Sequence, residues 1–257
     1  MNYEFIEVVR EQTLTVITID RPQVRNALNT AAHFELARAF DAFDQDPAQH
    51  VAILTGRGRD AFCAGHDLKQ GPGGDIPMPP TGFGGITERF DLGKPVIAAV
   101  NGICMGGGFE IALACDIIIA SAAARFALPE PRVGLAALSG GTLRLPRLIG
   151  LKQALGMLLT GRHVMACEGQ RLGFVNEVTE GDALDIARRW AAYIQECSPA
   201  ALRATKLTAT DGLDLPLRDA FAAIKSHPAV RAMWESPDSI EGPQAFADRR
   251  LPRWAAS

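Results

Sequence analysis

The order of apolar and polar positions along the chain predicts strands and helices in alternation. Two β-rich runs at residues 5–9 and 14–19 flank a short polar segment and predict a hairpin. A helix should follow, with Asn29 or Thr30 as its N-cap. The apolar stripe of this helix has helical spacing and consists of Leu36, Phe40 and Phe43.

Further apolar runs at residues 51–55, 95–100, 116–120 and 125–128 predict buried strands, each leading to a loop. Because helical segments separate these runs, the pattern favours an α/β fold with parallel crossovers. From about residue 197 the pattern is helical only, and Ser198-Pro199 is a helix start signal. We therefore predict an α/β domain over residues 1–195 and a helical region over residues 196–257.

The stretch from Asn101 to Glu110 follows one predicted strand and leads into an apolar segment that predicts a helix. The three glycines at 106–108 allow the backbone to approach a ligand closely, and the first amides of a helix favour negative charge. Glu110 falls in the first turn of that helix. At this level it is either a catalytic acid or an acid favoured by the helix dipole.

Composition narrows the function classes. With 257 residues, 47% hydrophobic and 21% charged, and a net charge of -3, the chain resembles an ordinary globular protein and has no field that would gather nucleic acid or an anionic membrane. The five cysteines are scattered, so they predict neither a disulfide framework nor a metal site. With no secretory signal and no long apolar span, the expected location is cytoplasmic.

The segment from Gly71 to Gly85 is rich in Gly and Pro and predicts a long loop, either an active-site lid or a surface insertion.

The helical region carries more apolar side chains than its short helices can bury among themselves, which suggests an oligomer contact. These side chains are Leu213, Leu217, Phe221, Ile224, Trp234 and Phe246.

Three segments, each just beyond a predicted strand, carry the chemistry: Ala64-Gly65-His66-Asp67, Gly106-Gly107-Gly108-Phe109-Glu110 and Pro129-Glu130. Together they resemble the crotonase, or enoyl-CoA hydratase/isomerase, superfamily over nearly the whole chain. Within it the likeness is greatest to the carnitinyl-CoA dehydratase (crotonobetainyl-CoA hydratase) branch. The resemblance implies a spiral of ββα units with a C-terminal helical oligomerisation segment, assembled as a homotrimer or a homohexamer.

The resemblance also implies roles for individual residues. The backbone N–H groups of His66 and Gly107 would form an oxyanion hole for the thioester carbonyl. Glu130 would deliver a proton to the α-carbon, and Glu110 would orient and deprotonate water. Contacts to the acyl-CoA substrate are implied for Arg25, Ala27, Ala64, Asp67 and Leu68. Coenzyme A would enter as part of the substrate, with no separate cofactor and no metal.

Hydration needs one ionised and one neutral carboxyl, so we expect helix-terminal amides to favour the charge on Glu110 and apolar neighbours to raise the pKa of Glu130. Two departures from the family pattern stand near the acyl site. His66 occupies a position that is often small, and residues 136–139 replace a common Ile-Pro-Gly-Ala. Two alternatives remain: a double-bond isomerase of the same architecture, and a non-catalytic acyl-CoA-binding or protein-binding relative.

Overall fold

The computed structural model of this chain describes residues 2–67, 69 and 76–255. Within them the strands are β1 Ile6–Glu11, β2 Leu14–Ile19, β3 Val51–Gly56, β4 Ala61–Cys63, β5 Val96–Val100, β6 Ile103–Met105, β7 Ile117–Ser121, β8 Arg125–Ala127, β9 Val164–Met165 and β10 Glu177–Thr179. The helices are α1 Thr30–Gln45, α2 Gly107–Ala114, α3 Gly141–Ile149, α4 Leu151–Leu158, α5 Ala166–Leu172, α6 Ala183–Gln195, α7 Pro199–Gly212, α8 Leu217–Ser226, α9 Pro228–Glu235 and α10 Asp238–Ala247.

The larger sheet has the strand order β1-β2-β3-β5-β7-β10. β1 and β2 form the predicted antiparallel hairpin, and the other neighbours pair in parallel. β3 and β5 lie inside this sheet and are buried along their whole length, as expected for strands covered on both faces. The α/β architecture with parallel crossovers is therefore confirmed.

The smaller sheet has the order β4-β6-β8-β9, with β9 antiparallel to β8. Its inner face contributes Phe62, Cys104 and Phe126 to the core. The simple prediction of strand, glycine loop and helix was wrong here, because the loop contains a strand of its own. Only two residues separate the end of β5 from the start of β6, and β6 belongs to the other sheet.

Helix α1 begins where the sequence predicted. The side chain of Asn29 accepts a hydrogen bond from the amide of Ala32 at 2.8 Å, which caps the first turn. Its apolar stripe is fully buried in the core. A short 3-10 turn, Phe83–Gly85, lies against α1.

This turn forms the C-terminal end of the loop predicted for residues 71–85. Residues 83–85 are buried, so this end of the predicted loop is packed structure, neither a free insertion nor an open lid. Residues 71–75 of the predicted loop lie outside the described residues.

Helices α7 to α10 follow α6 without an intervening strand. Ser198 caps α7 by accepting from the amide of Ala201, as its sequence predicted. The large apolar side chains predicted for an oligomer contact are all exposed, from 37% for Ile224 to 87% for Phe246. Across the described part of the chain, no helix is both long and apolar enough to cross a membrane.

Candidate active site

Glu110 lies in the first turn of α2 and is only 3% exposed. Its carboxylate accepts a hydrogen bond at 2.9 Å from the amide of Gly141, the first residue of α3. Burial raises the pKa of Glu110 to about 7, against the opposing effect of the Gly141 amide. The expectation that helix-terminal amides would favour its charge was wrong in its net result, because desolvation outweighs the amides.

Glu130 begins a 3-10 turn that follows β8. One of its carboxyl oxygens, Oε2, is buried and has no hydrogen-bond partner among the described residues. Burial raises the pKa of Glu130, as the sequence predicted. A buried, unpaired carboxyl oxygen is costly, so it is a feature to expect where a substrate or a water molecule completes the site.

The two carboxyl groups share one region of the molecule. The charge of Glu130 is among the causes that raise the pKa of Glu110. Glu130 Oε1 would lie 3.1 Å from a Cβ placed on Gly106, the residue that caps α2. Glu110 therefore emerges from the helix that starts at this glycine, and Glu130 lies against the glycine itself.

The backbone around Gly106 depends on glycine. Its φ of 56° and the proximity of Glu130 leave no comfortable place for a side chain. Gly65 has a φ of 93°, and a Cβ on it would lie 3.1 Å from the Gly107 amide nitrogen and 2.9 Å from the Met105 carbonyl oxygen. The segment that carries the His66 amide thus passes directly beside the Gly107 amide.

Backbone hydrogen bonds hold that segment in register. The amide of Leu28 donates to Gly65 O at 2.8 Å, and the amide of Asp67 donates to Leu28 O at 2.9 Å. These two bonds flank His66 and form an isolated parallel bridge to Leu28. The position of the His66 backbone is therefore set by the residue that precedes the α1 cap.

A cavity of about 600 Å³ opens beside the glycine segment. It includes Met105 and Pro129, which directly precede Gly106 and Glu130. Two of the predicted CoA-contact residues line it, and three basic residues that sequence reasoning missed line it as well. These five residues are Arg25, Ala64, Arg59, Arg125 and His163.

Of the three basic residues that sequence reasoning missed, Arg125 has a structural explanation. The pairing of β8 with β6 sets Arg125 opposite Ile103, and only the sheet register brings it to this cavity.

The remaining predicted CoA contacts differ from one another. Asp67 forms an ion pair with Arg21 at 3.1 Å, and both side chains are nearly buried. Ala27 is buried, and its carbonyl accepts from Arg21. Both residues therefore support the site segment from within, and any contact they make with a ligand stays a prediction. Leu68 lies outside the described residues.

Two aromatic side chains near the site are packed. Phe109 is fully buried against Phe126 and Phe174, with ring centroids 5.2 and 5.1 Å away. Phe83 is buried against His33, with centroids 4.3 Å apart.

The described residues hold no group of three or more His, Cys, Asp or Glu side chains placed to bind a metal ion.

Residues 9–257 match the family Enoyl-CoA hydratase/isomerase. The fold agrees: the enoyl-CoA hydratase structure from Mycobacterium tuberculosis H37Rv superposes with a TM-score of 0.92 at 40% identity, over 98% of this chain and 99% of that one. The enoyl-CoA hydratase structure from Mycobacterium marinum gives 0.92 at 39% identity, with the same coverage. The chain belongs to the enoyl-CoA hydratase/isomerase family and has the crotonase fold.

Among curated relatives, the carnitinyl-CoA dehydratase of Citrobacter koseri is 43% identical over 260 residues, covering 98% of each chain. The carnitinyl-CoA dehydratase of Salmonella arizonae is 42% identical with the same coverage. The resemblance found in the sequence, both to the superfamily and to this branch, is therefore confirmed.

Proposed function

We propose that this chain is an enoyl-CoA hydratase, a lyase that adds water across the α,β double bond of an acyl-CoA thioester. The observation that carries the proposal is the pairing of Glu110 and Glu130 about one glycine turn. Both carboxyls have raised pKa values, and the charge of one raises the pKa of the other. Family membership supplies the thioester substrate class, and the two carboxyls supply groups suited to moving protons on and off water.

In this mechanism the ionised Glu110 takes a proton from water while the water oxygen bonds to the β-carbon. The π electrons move toward the thioester oxygen, whose charge the amides of His66 and Gly107 would hold. Protonated Glu130 then gives its proton to the α-carbon, and the carbonyl re-forms. A proton passed back from Glu110 to Glu130 through solvent restores the starting state.

The buried setting of both carboxyls supports proton transfer by this pair. A glutamate with a pKa near 7 is a much stronger base than an exposed one, and a fraction of it is ionised at neutral pH. Burial also raises the pKa of Glu130, which makes it a more weakly acidic carboxyl than an exposed glutamate. The two groups titrate as a coupled pair, so the acid and base roles belong to the pair.

A set of matched variants tests the proposal. Hydration of crotonyl-CoA and crotonobetainyl-CoA is followed by the loss of the conjugated-thioester absorbance. Glu110→Gln and Glu130→Gln should each lower kcat by orders of magnitude while thioester binding survives, and Glu180→Gln, an exposed glutamate far along the chain, serves as the control. Full activity in either active-site variant would contradict the assignment.

The same hydration assay also shows which acyl group the chain prefers. The two curated relatives are named for carnitinyl-CoA, so crotonobetainyl-CoA is the first substrate to compare with crotonyl-CoA.

The rival activity, double-bond isomerisation, would need only one of the two glutamates. Deuterium uptake into the substrate without hydration would favour it over the hydratase. A non-catalytic relative would show neither reaction while still binding the thioester.

We also propose that the cavity beside Gly106 receives the CoA part of the substrate. Arg25, Arg59 and Arg125 outweigh the negative charge of Asp60, which also lines it. A cavity of this charge suits the phosphates of coenzyme A, with the thioester directed toward Met105 and Pro129.

The C-terminal region from residue 196 is proposed as the oligomerisation segment of a trimer or hexamer. Its exposed apolar side chains include Trp234 and Phe246, at 69% and 87% exposure. Light scattering would measure the assembly directly. A cytoplasmic location stays a prediction from the sequence.

A further inference from the structure

His33 lies on the first turn of α1 and is fully buried. Its ring nitrogen Nδ1 accepts a hydrogen bond at 3.0 Å from the amide of Gly84. Because Nδ1 is the acceptor, the proton of the neutral ring is on Nε2. Burial, together with the nearby His66 ring, lowers the pKa of His33 to about 4, so the ring stays neutral at physiological pH.

The 3-10 turn Phe83–Gly85, whose Gly84 amide His33 pairs, is packed between α1 and α2. A Cβ on Gly84 would overlap the side chain of Ile111 on α2, and a Cβ on Gly85 would overlap the backbone of Ala37 on α1. Both glycines have positive φ, 62° and 67°. The turn therefore has little freedom to shift toward either helix, provided that its amide remains paired.

The turn reaches the reaction site through Phe83. Its ring lies against the Cα of Gly107, so close that a Cβ on Gly107 would overlap three ring atoms. The same ring packs edge-to-face with His33, with the ring centroids 4.3 Å apart and an interplanar angle of 67°. A continuous series of contacts thus leads from His33 through Phe83 to the residue whose amide the mechanism uses.

From these contacts we propose that His33 is a positioning residue: by accepting from the Gly84 amide it holds the Phe83 ring against Gly107 and so aligns the Gly107 N–H with the thioester oxygen. The inference rests on the proposed hydratase function. Because charge develops on that oxygen in the transition state, misalignment affects kcat more than substrate binding.

Two substitutions separate the hydrogen bond from the packing. His33→Phe keeps a ring beside Phe83 and leaves the Gly84 amide unpaired. His33→Asn places a side-chain oxygen near the position of Nδ1 and restores an acceptor. We expect kcat to fall about tenfold to a hundredfold in His33→Phe, with KM changed less than threefold, and to recover at least partly in His33→Asn.

A matched control comes from His227, whose Nδ1 accepts from the amide of Ala229 at 3.1 Å at the start of α9. His227→Phe removes the same kind of bond outside the site and should leave kcat per folded protein unchanged. If a comparable loss of kcat accompanied His227→Phe, the effect would be general and the inference would be overturned.

A spectroscopic measurement distinguishes alignment from general damage. The carbonyl stretch of a bound cinnamoyl-CoA thioester moves to lower frequency when the oxyanion amides polarise it, and Raman difference spectra report that shift. His33→Phe should lose much of the shift while the thioester still binds, and His33→Asn should regain it. Wild-type kcat and an unaltered carbonyl shift in His33→Phe would overturn the inference.

Phe83→Leu provides a second route if His33→Phe does not fold, because it removes the ring from Gly107 and leaves the imidazole in place. It should reduce both kcat and the carbonyl shift, and a variant with neither change would overturn the inference. The proposed function has its own test: a wild-type chain that hydrates no enoyl-CoA refutes the hydratase, whereas an active wild type with an unaffected His33→Phe refutes only the role of His33.

Discussion

Replacing Glu110 with glutamine should make the folded chain more stable at neutral and alkaline pH while it removes hydration. Glutamine keeps an oxygen that can accept from the Gly141 amide, so the 2.9 Å hydrogen bond can persist. What disappears is a buried ionisable group whose pKa burial raises from the ordinary 4.5 to about 7. At about 1.4 kcal/mol per unit, that shift corresponds to about 3 kcal/mol.

The sign of this stability change follows from the number of protons that the folded and unfolded chains bind. Below pH 4.5 residue 110 is protonated in both the folded and the unfolded chain, and it contributes no difference. Between pH 4.5 and about 7 the unfolded chain releases this proton while the folded chain retains it, so the free energy of unfolding falls as the pH rises. Above about pH 7 the wild type has lost all of the free energy of unfolding that this shift represents. The Glu110→Gln variant has no ionisable group at this position and loses none of it.

Urea unfolding at one fixed protein concentration measures the effect, at a pH below 4.5 and at a pH about one unit above 7. The variant should exceed the wild type by about 3 kcal/mol at the higher pH and approach it at the lower one. Glu180→Gln, at an exposed site, should show little difference at either pH. A stability gain of equal size at both pH values, or none at the higher one, would refute the argument that burial of the charge is its cause.

Three further predictions use other measurements. Hydration should decline as the pH falls through about 7, because Glu110 must be ionised to accept a proton from water; a kcat that is flat through this pH contradicts the role of Glu110 as the base. Arg125→Gln should raise KM for crotonyl-CoA about twofold to fivefold and leave KM for crotonyl-pantetheine unchanged, whereas equal effects on both would remove Arg125 from the CoA phosphates. Phe221→Lys, at a side chain 65% exposed, should shift the dissociation midpoint of the assembly to at least about tenfold higher concentration in sedimentation, and an unchanged midpoint would place the contact elsewhere.

Much of the larger sheet was predictable because its strands are long apolar runs. The hairpin of β1 and β2, and buried β3 and β5, each give five or six residues of signal. The α1 cap at Asn29 was predictable for a local reason as well, since a side chain three residues before an amide suffices to form it.

The smaller sheet was less predictable, since its strands are only two or three residues long and only β8 coincides with a predicted strand. β6 exists because β4 and β8 flank it, and both are distant in sequence. No periodicity in three residues can indicate such partners, so Ile103–Met105 was interpreted as loop.

In the candidate site, too, some features were predictable from the sequence and others depend on distant segments. The glycines and the two glutamates could be identified from motifs, whereas their electrostatics could not. The net direction of the Glu110 shift depends on burial by segments that follow it, including α3, whose first amide comes from Gly141, 31 residues further along. His33 reads as an ordinary helix residue in the sequence, and only the packing of the Phe83 turn gives it a connection to the site.

The mutual closeness of Gly65 and Gly107 has a consequence for how such an enzyme can diversify. A methyl group at either position meets an immovable neighbour, backbone for Gly65 and a tightly held ring for Gly107. A single substitution of either glycine by a larger residue should therefore disrupt the site. A laboratory selection for new acyl preferences should leave these two glycines untouched.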